Sequence, residues 1–168
     1  MTGGAGAYER LVALLDAEGA AYRLIDHAPE GRTEVVSPLR GNPLAAAAKC
    51  IVLMVKLGKK TTRHVLAVVP GDARVDMGAV KALLGATYAA FADAAVAEAL
   101  AGSVVGTVLP FALDPRLELI ADPALLEHHE LYFNAGRLDR SMALRTRDYV
   151  RVARPRFERI AQRAATAG

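Results

Sequence analysis

Residues 43–57 read PLAAAAKCIVLMVKL. Four alanines precede Lys49, Cys50 stands next, and five large apolar residues follow from Ile51 to Val55. That core run is apolar at every position, with no alternation, so it predicts a strand buried on both faces and central in its sheet. Strand parity puts Lys49, Ile51, Leu53 and Val55 on one face and Cys50, Val52, Met54 and Lys56 on the other. Lys49 therefore stands at the N-terminal end of the strand and points the same way as core residues. Two readings are open: it snorkels to solvent, or it stands as a cation at the mouth of a pocket lined by small alanines. Cys50 reads as a small buried packing residue, facing away from Lys49. As the only cysteine it excludes a disulfide framework and a Cys-based zinc site.

The runs 49–57 and 63–69 are joined by GKKTT, short enough for a hairpin of antiparallel neighbours. Upstream, 8–17 has helical spacing with Gly19 at the C-terminal cap, 21–27 reads as a strand, and Thr33 is expected to cap a short helix to Leu39. Downstream, helices are predicted over 76–84 and 93–101, each starting at an aspartate and followed by glycine. GSVVGTVLPF, 102–111, reads as a turn entering a strand that Pro110 interrupts. Strands are expected at 117–121, 130–133 and 141–144, an N-cap followed by proline at Asp122-Pro123, a helix at 146–154 capped by Thr146, and a last helix from Pro155 to about Ala164. There is no internal repeat, no linker and no regular βαβ alternation. The expected architecture is a single α/β-type (mixed α+β) domain over 1–168, with a mixed sheet, helices around it and a flexible tail at 1–7.

A chain of 168 residues with 53% apolar content suits one ordinary domain with a real core and excludes disorder. No signal peptide is evident, and no apolar stretch reaches the ~20 residues of a membrane span. The expectation is a soluble cytoplasmic protein with no membrane partner. Charge is uneven: residues 137–168 carry nine arginines against three acids, a balance of +6, so the preceding 136 residues carry −3 of the net +3. Such a stripe either attracts phosphates or is a solvated face. Arg147, Arg151 and Arg154 fall on one predicted helical face and are the candidates for contact with nucleic acid.

Two further segments matter. In GTVLP, 106–110, glycine permits close backbone approach and proline fixes φ, which suits N–H groups aimed at a developing oxyanion. A bulged edge strand explains the same residues. EHHE, 127–130, fails as a metal site. Adjacent histidines point to opposite faces of a strand and diverge by ~100° on a helix, and neither zincin spacing nor a cysteine partner is present. No metal or other cofactor is expected. The chain has no G-x-S-x-G elbow, P-loop or dinucleotide fingerprint, hence no evident protein nucleophile or nucleotide site.

The order H-x-P at 27, glutamate at 34, AAKCIVL, GTVLPF and FNAGRLDRS resembles the YbaK/prolyl-tRNA synthetase editing-domain family, the free-standing aminoacyl-tRNA deacylases. FNAGRLDRS and the terminal TRDYVRVARP are most similar to its YeaK-like branch. The resemblance spans residues 8–157. It implies a barrel-like mixed sheet surrounded by helices. It also implies trans-editing, the hydrolysis of a wrong amino acid from the 3′-terminal adenosine of tRNA. Lys49 matches the family's essential lysine, and Gly106 and Pro110 match its G-x-x-x-P loop, so these are the implied catalytic positions. His27, Asn134 and Gly136 are the implied substrate-binding positions. Where many members have Ser-Gly-Gly, this chain has Asn-Ala-Gly at 134–136, a departure that reshapes the amino-acid pocket. The chemistry suits a chain without a nucleophile: an aminoacyl ester is already activated, so oriented water or the substrate's own ribose hydroxyl, with oxyanion stabilisation, suffices. The implied partner is mischarged tRNA, with a synthetase as a second candidate. The alternatives are a non-catalytic tRNA- or synthetase-binding module of the same fold, and a hydrolase of some other aminoacyl ester.

Overall fold

The apolar run at 49–57 forms one arm of a long hairpin, and the rest of the chain is arranged around it. In a computed structural model, which describes residues 6–163, the order is α1 (Ala7–Ala17), β1 (Tyr22–Asp26), α2 (Thr33–Arg40), β2 (Ala48–Leu57), β3 (Thr61–Pro70), β4 (Ala73–Val75) and α3 (Met77–Leu84). There follow β5 (Tyr88–Phe91), α4 (Ala94–Ala101), β6 (Leu117–Ala121), β7 (Glu130–Asn134), β8 (Arg140–Arg145), α5 (Thr146–Ala153), β9 (Arg156–Phe157) and β10 (Ala161–Arg163). Short 3-10 turns occupy Leu44–Ala46 and Pro123–Glu127.

β2 and β3 pair antiparallel in unbroken register from Ala48↔Pro70 to Leu57↔Thr61, closed by a tight link in which Gly58 takes a φ of 80°. They are the centre of a five-stranded sheet, β5-β2-β3-β6-β9, in which β6 and β9 run parallel to β3. A three-stranded antiparallel sheet, β1-β8-β7, stands beside it, and a bridge from Ala47 to Tyr132 ties the two together. β10 and β4 form a small third sheet.

The parity of β2 divides two cores, as expected of a strand buried on both faces. Leu53 and Val55 pack with Val65, Ala67, Val69, Val80, Ile120 and Ile160. Val52 packs on the other side with Leu66, Val68, Leu11, Leu15, Phe133, Met142 and Tyr149. Each fully buried side chain of this size contributes about 1.5–3 kcal/mol. The second core glues α1 and the β1-β8-β7 sheet to the hairpin, and the gap left between the two sheets near residue 49 is where the site lies.

Several expectations are corrected. The segment 102–111 forms no strand; it is a loop, because Thr107 spends its backbone N–H and its Oγ1 on Val104 O within a local turn. The residues after Pro155 form β9 and β10 rather than a helix, because Asp122 Oδ2 accepts the backbone N–H groups of Ile160 and Ala161 and holds them extended; Ala164 lies outside the described residues. Thr33 and Thr146 are first helical residues, not caps, and the Thr146 hydroxyl bonds instead to His128 O. β4 and β5 were not expected at all. Of the tail expected at 1–7, residues 1–5 lie outside the described residues and Ala7 already belongs to α1.

Candidate active site

A cavity of about 270 Å3 opens between α2, the start of β2, the end of β7 and the loop 102–116. Its walls include Glu34 and Arg40 of α2, Ala48, Lys49 and Cys50 of β2, Val105 and Gly106 of the loop, and Phe133 and Asn134 of β7. Lys49 is half-buried, and among the described residues its Nζ donates only a long bond to Gly71 O, 3.5 Å. Among the described residues no carboxylate comes within 4 Å of it. Burial pushes the ammonium below its ordinary pKa, and the nearby Glu34 and Asp72 charges oppose that shift. The strand thus exposes an unneutralised cation to the cavity.

Gly106 is fixed from two sides. Its φ is 92°, and a Cβ added there would lie 2.9 Å from Gly31 Cα, so two loops touch backbone to backbone. Its carbonyl accepts Asn134 Nδ2–H at 2.9 Å, while the same amide donates to Glu30 O at 2.8 Å. Asn134 Oδ1 accepts the Ser141 hydroxyl at 2.9 Å. Both N–H groups and the Oδ1 of this buried side chain thus join β7, β8 and both loops. Among the described residues the N–H groups of Gly106 and Val108 donate to no protein acceptor.

The other expected residues are distributed as follows. Pro110 is buried and does not line the cavity. The His27 ring is outside the wall too, but it touches the network: Nε2 lies 2.7 Å from Ser141 Oγ, and Nδ1 donates to Ala28 O at 2.9 Å. Gly136 is elsewhere. With φ 78° it lets β7 turn past the start of α1, and a Cβ there would meet Tyr8 N at 2.8 Å. Only Ala48 of the four alanines lines the cavity; Ala46 and Ala47 are packed, the latter against Gly71. Cys50 packs as expected but also lines the cavity, and burial pushes its thiol well up, against the pull of Arg40. Arg147 and Arg151 share the exposed side of α5, whereas Arg154 lies beyond its end with φ 49°. Arg151 is paired with Asp148 and Glu18. His128 and His129 face a separate cleft with Arg145 and Arg147, and among the described residues no group of three metal-binding side chains occurs.

Arg40 and Ser141 were missed by the sequence reading. Arg40, at the end of α2, is buried, donating from Nε to Asn42 Oδ1 at 2.7 Å, from Nη1 to Ser141 Oγ at 3.0 Å and from Nη2 to Tyr132 O at 3.4 Å. Burial lowers its pKa to about 10. The only available signal was an arginine on the apolar side of a helix next to Val36 and Ser37, which one sequence cannot separate from a snorkelling one.

Residues 27–152 match the aminoacyl-tRNA editing domain. The chain is 41% identical over 156 residues to the Multifunctional Ser/Thr-tRNA deacylase ProXp-y of Escherichia coli (strain K12), covering 92% of this chain and 93% of that protein. Among solved structures, a hypothetical protein superposes with a TM-score of 0.81 at 23% identity, over 91% of this chain and 99% of its own. A proposed trans-editing enzyme for prolyl tRNA synthetase superposes with a TM-score of 0.78 at 17% identity, over 95% and 99%. The last two share the fold. The chain belongs to the aminoacyl-tRNA editing domain family. It is an aminoacyl-tRNA deacylase, a hydrolase whose substrate is mischarged tRNA.

Proposed function

We propose that this deacylase removes serine and threonine from tRNAs that should carry another amino acid, and that the ester is cleaved in the cavity between Lys49 and Gly106. The observation that carries the reading is the meeting of an unpaired half-buried ammonium with a glycine-built loop at one small cavity. The identity to a Ser/Thr-tRNA deacylase supports the choice of amino acid. At about 270 Å3 the cavity is below the ~300 Å3 where small-molecule pockets begin. It suits the aminoacyl end of the substrate, with the terminal nucleoside outside.

In the proposed reaction, Lys49 holds the phosphate and ribose end by charge, where a neutral residue would not. Water, oriented by the substrate's ribose hydroxyl, attacks the ester carbon. The carbon–oxygen bond to the ribose breaks, the ribose oxygen takes the proton, and the free amino acid leaves. The unbonded N–H groups of Gly106 and Val108 are the donors for the oxyanion that forms on the way. No protein nucleophile is required, and the protonated Cys50 thiol is a poor one. Pro110 stiffens the loop by fixing φ, and His27 acts through Ser141 and Asn134 rather than by touching substrate. Of the three candidate arginines on this stretch, Arg147 and Arg154 are exposed and without a carboxylate partner among the described residues, which leaves them free to meet tRNA phosphates. The protein works in the cytoplasm, where its substrate is, with residues 1–168 as one unit. Among the described residues no helix is long and apolar enough to cross a membrane.

The test is deacylation of a panel of mischarged tRNAs by the purified protein. Seryl and threonyl esters should be cleared faster than alanyl and valyl esters on the same tRNA. A folded protein inactive on every member of the panel overturns the reading.

A further inference from the structure

The cavity contains a second cation that the reaction above does not use. Arg40 is 7% exposed and lines the cavity beside Cys50 and Asn134. A guanidinium carries five N–H donors and no acceptor. Three are spent on Asn42 Oδ1, Ser141 Oγ and Tyr132 O, which leaves one on each terminal nitrogen without an acceptor among the described residues. Among the described residues no carboxylate lies within 4 Å to neutralise it. Arginine is almost never buried unless paired, and a purely structural role here, tying Asn42 to β7 and β8, would not call for a net charge.

The surroundings decide what these donors can meet. On the rest of the wall Arg32 is locked to Glu30 and both Asn134 N–H groups are spent on Glu30 O and Gly106 O, so among the described residues the other free side-chain donors are Lys49 and the Thr33 hydroxyl. Lys49, half-buried, stands further out than Arg40. A substrate that presents its ester near Lys49 and Gly106 therefore presents its side chain toward Arg40. The α-ammonium of the amino acid is repelled by Arg40 and drawn toward Glu34, the one carboxylate on the wall. What remains to face the guanidinium is a side-chain oxygen able to accept.

We infer that Arg40 is a specificity residue, whose free N–H groups hydrogen-bond the side-chain hydroxyl oxygen of the amino acid being removed. The inference rests on the cavity's taking the aminoacyl end of a hydroxyl amino acid, as proposed above. An analogue of the same size without the oxygen leaves buried charged donors unpaired, and sites built this way reject such analogues far more strongly than apolar pockets do.

The experiment compares seryl-tRNA with 2-aminobutyryl-tRNA on the same tRNA, since 2-aminobutyrate replaces the serine hydroxyl by a methyl group. With the wild-type protein the seryl ester should be cleaved on the order of 10²-fold faster, the effect of leaving a buried charged donor unpaired. In Arg40→Met the ratio should collapse toward one, chiefly by loss of rate on the seryl ester. Arg40→Lys, which keeps the charge but loses the planar fork, should also lower the ratio by about tenfold or more, and serves if Arg40→Met fails to fold. A wild-type ratio near one overturns the inference while leaving the deacylase reading intact. So does a uniform fall on both esters in a folded Arg40 variant, which would make the guanidinium an oxyanion donor or a strut. Failure to cleave either ester overturns the functional reading, and this inference with it.

Discussion

Replacing Asn134 by alanine should loosen the site more than any other single deletion of a few atoms. The side chain is buried and makes three hydrogen bonds of 2.8, 2.9 and 2.9 Å, to Glu30 O, Gly106 O and from Ser141 Oγ. At about 1 kcal/mol net for each, the loss is ~3 kcal/mol. For a chain of this size 1 kcal/mol moves Tm by about 2–4 °C, so thermal unfolding should fall by roughly 6–12 °C. Asn134→Asp should be worse at neutral pH, because it faces two carbonyl oxygens with a carboxylate in place of two N–H groups, and should recover partly in acid as that carboxylate is protonated. Because Gly106 loses its only side-chain anchor among the described residues, single-turnover deacylation of seryl-tRNA should drop by about 10–100-fold, the scale set by a misplacement near 1 Å. Differential scanning fluorimetry and a quenched-flow deacylation assay read both effects. A Tm within 2 °C of wild type (roughly the effect of 1 kcal/mol or less) together with an unchanged rate would refute the reasoning.

Three shorter predictions accompany it. Gly106→Ala combines φ 92° with a Cβ 2.9 Å from Gly31 Cα; it should cost at least ~1–3 kcal/mol and most of the activity, and a variant with wild-type Tm and rate would show that the loops do not touch as described. The Asp148 carboxyl is held below its ordinary pKa by the Ala21 N–H at 2.9 Å, with Arg151 adding to this against the effect of burial. A lowered folded-state pKa stabilises the protein above the unfolded value of ~3.9 and loses that contribution as pH falls through the folded one. Asp148→Asn should thus be less stable than wild type at pH 7, and urea titrations of the two should converge in strong acid; a constant gap would contradict the assignment. Burial keeps the Cys50 thiol protonated, so Ellman's reagent should label it slowly in the native protein and at once in guanidinium, whereas equal rates would indicate an exposed thiolate.

The centre of the fold was legible because the evidence for it is local. An apolar run without alternation can be satisfied only by a strand covered on both sides, and β2 divides the two cores at the positions parity assigned. Lys49 and Gly106 were legible for a related reason: a charge at the edge of an apolar run and a glycine in a Pro-containing loop are anomalies within a few residues of chain. What was not legible depends on distant partners. The extended stretch at 156–163 is set by Asp122, almost forty residues earlier, accepting two backbone N–H groups; from local pattern alone the same residues read as a helix. Arg40 and Ser141 gain their meaning from a contact across 101 residues of sequence. Gly136 entered the expected site because it falls on the segment that many family members write as Ser-Gly-Gly, yet its positive φ serves the crossing of α1. The departure at Asn134 read as a reshaping of the amino-acid pocket; in space the amide also joins two loops, through its two N–H groups on Glu30 O and Gly106 O.

The most direct test of the account is the single-turnover deacylation of seryl- and threonyl-tRNA by Lys49→Met beside the wild-type protein. Lys49 carries a half-buried charge without an ion pair among the described residues, so the variant should fold with a Tm equal to or above wild type, while its rate on both esters falls by at least ~10²-fold, the usual cost of removing an electrostatic group from such a site. A folded Lys49→Met protein that clears both tRNAs within twofold of the wild-type rate would contradict the claim that this cavity is where the ester is cleaved.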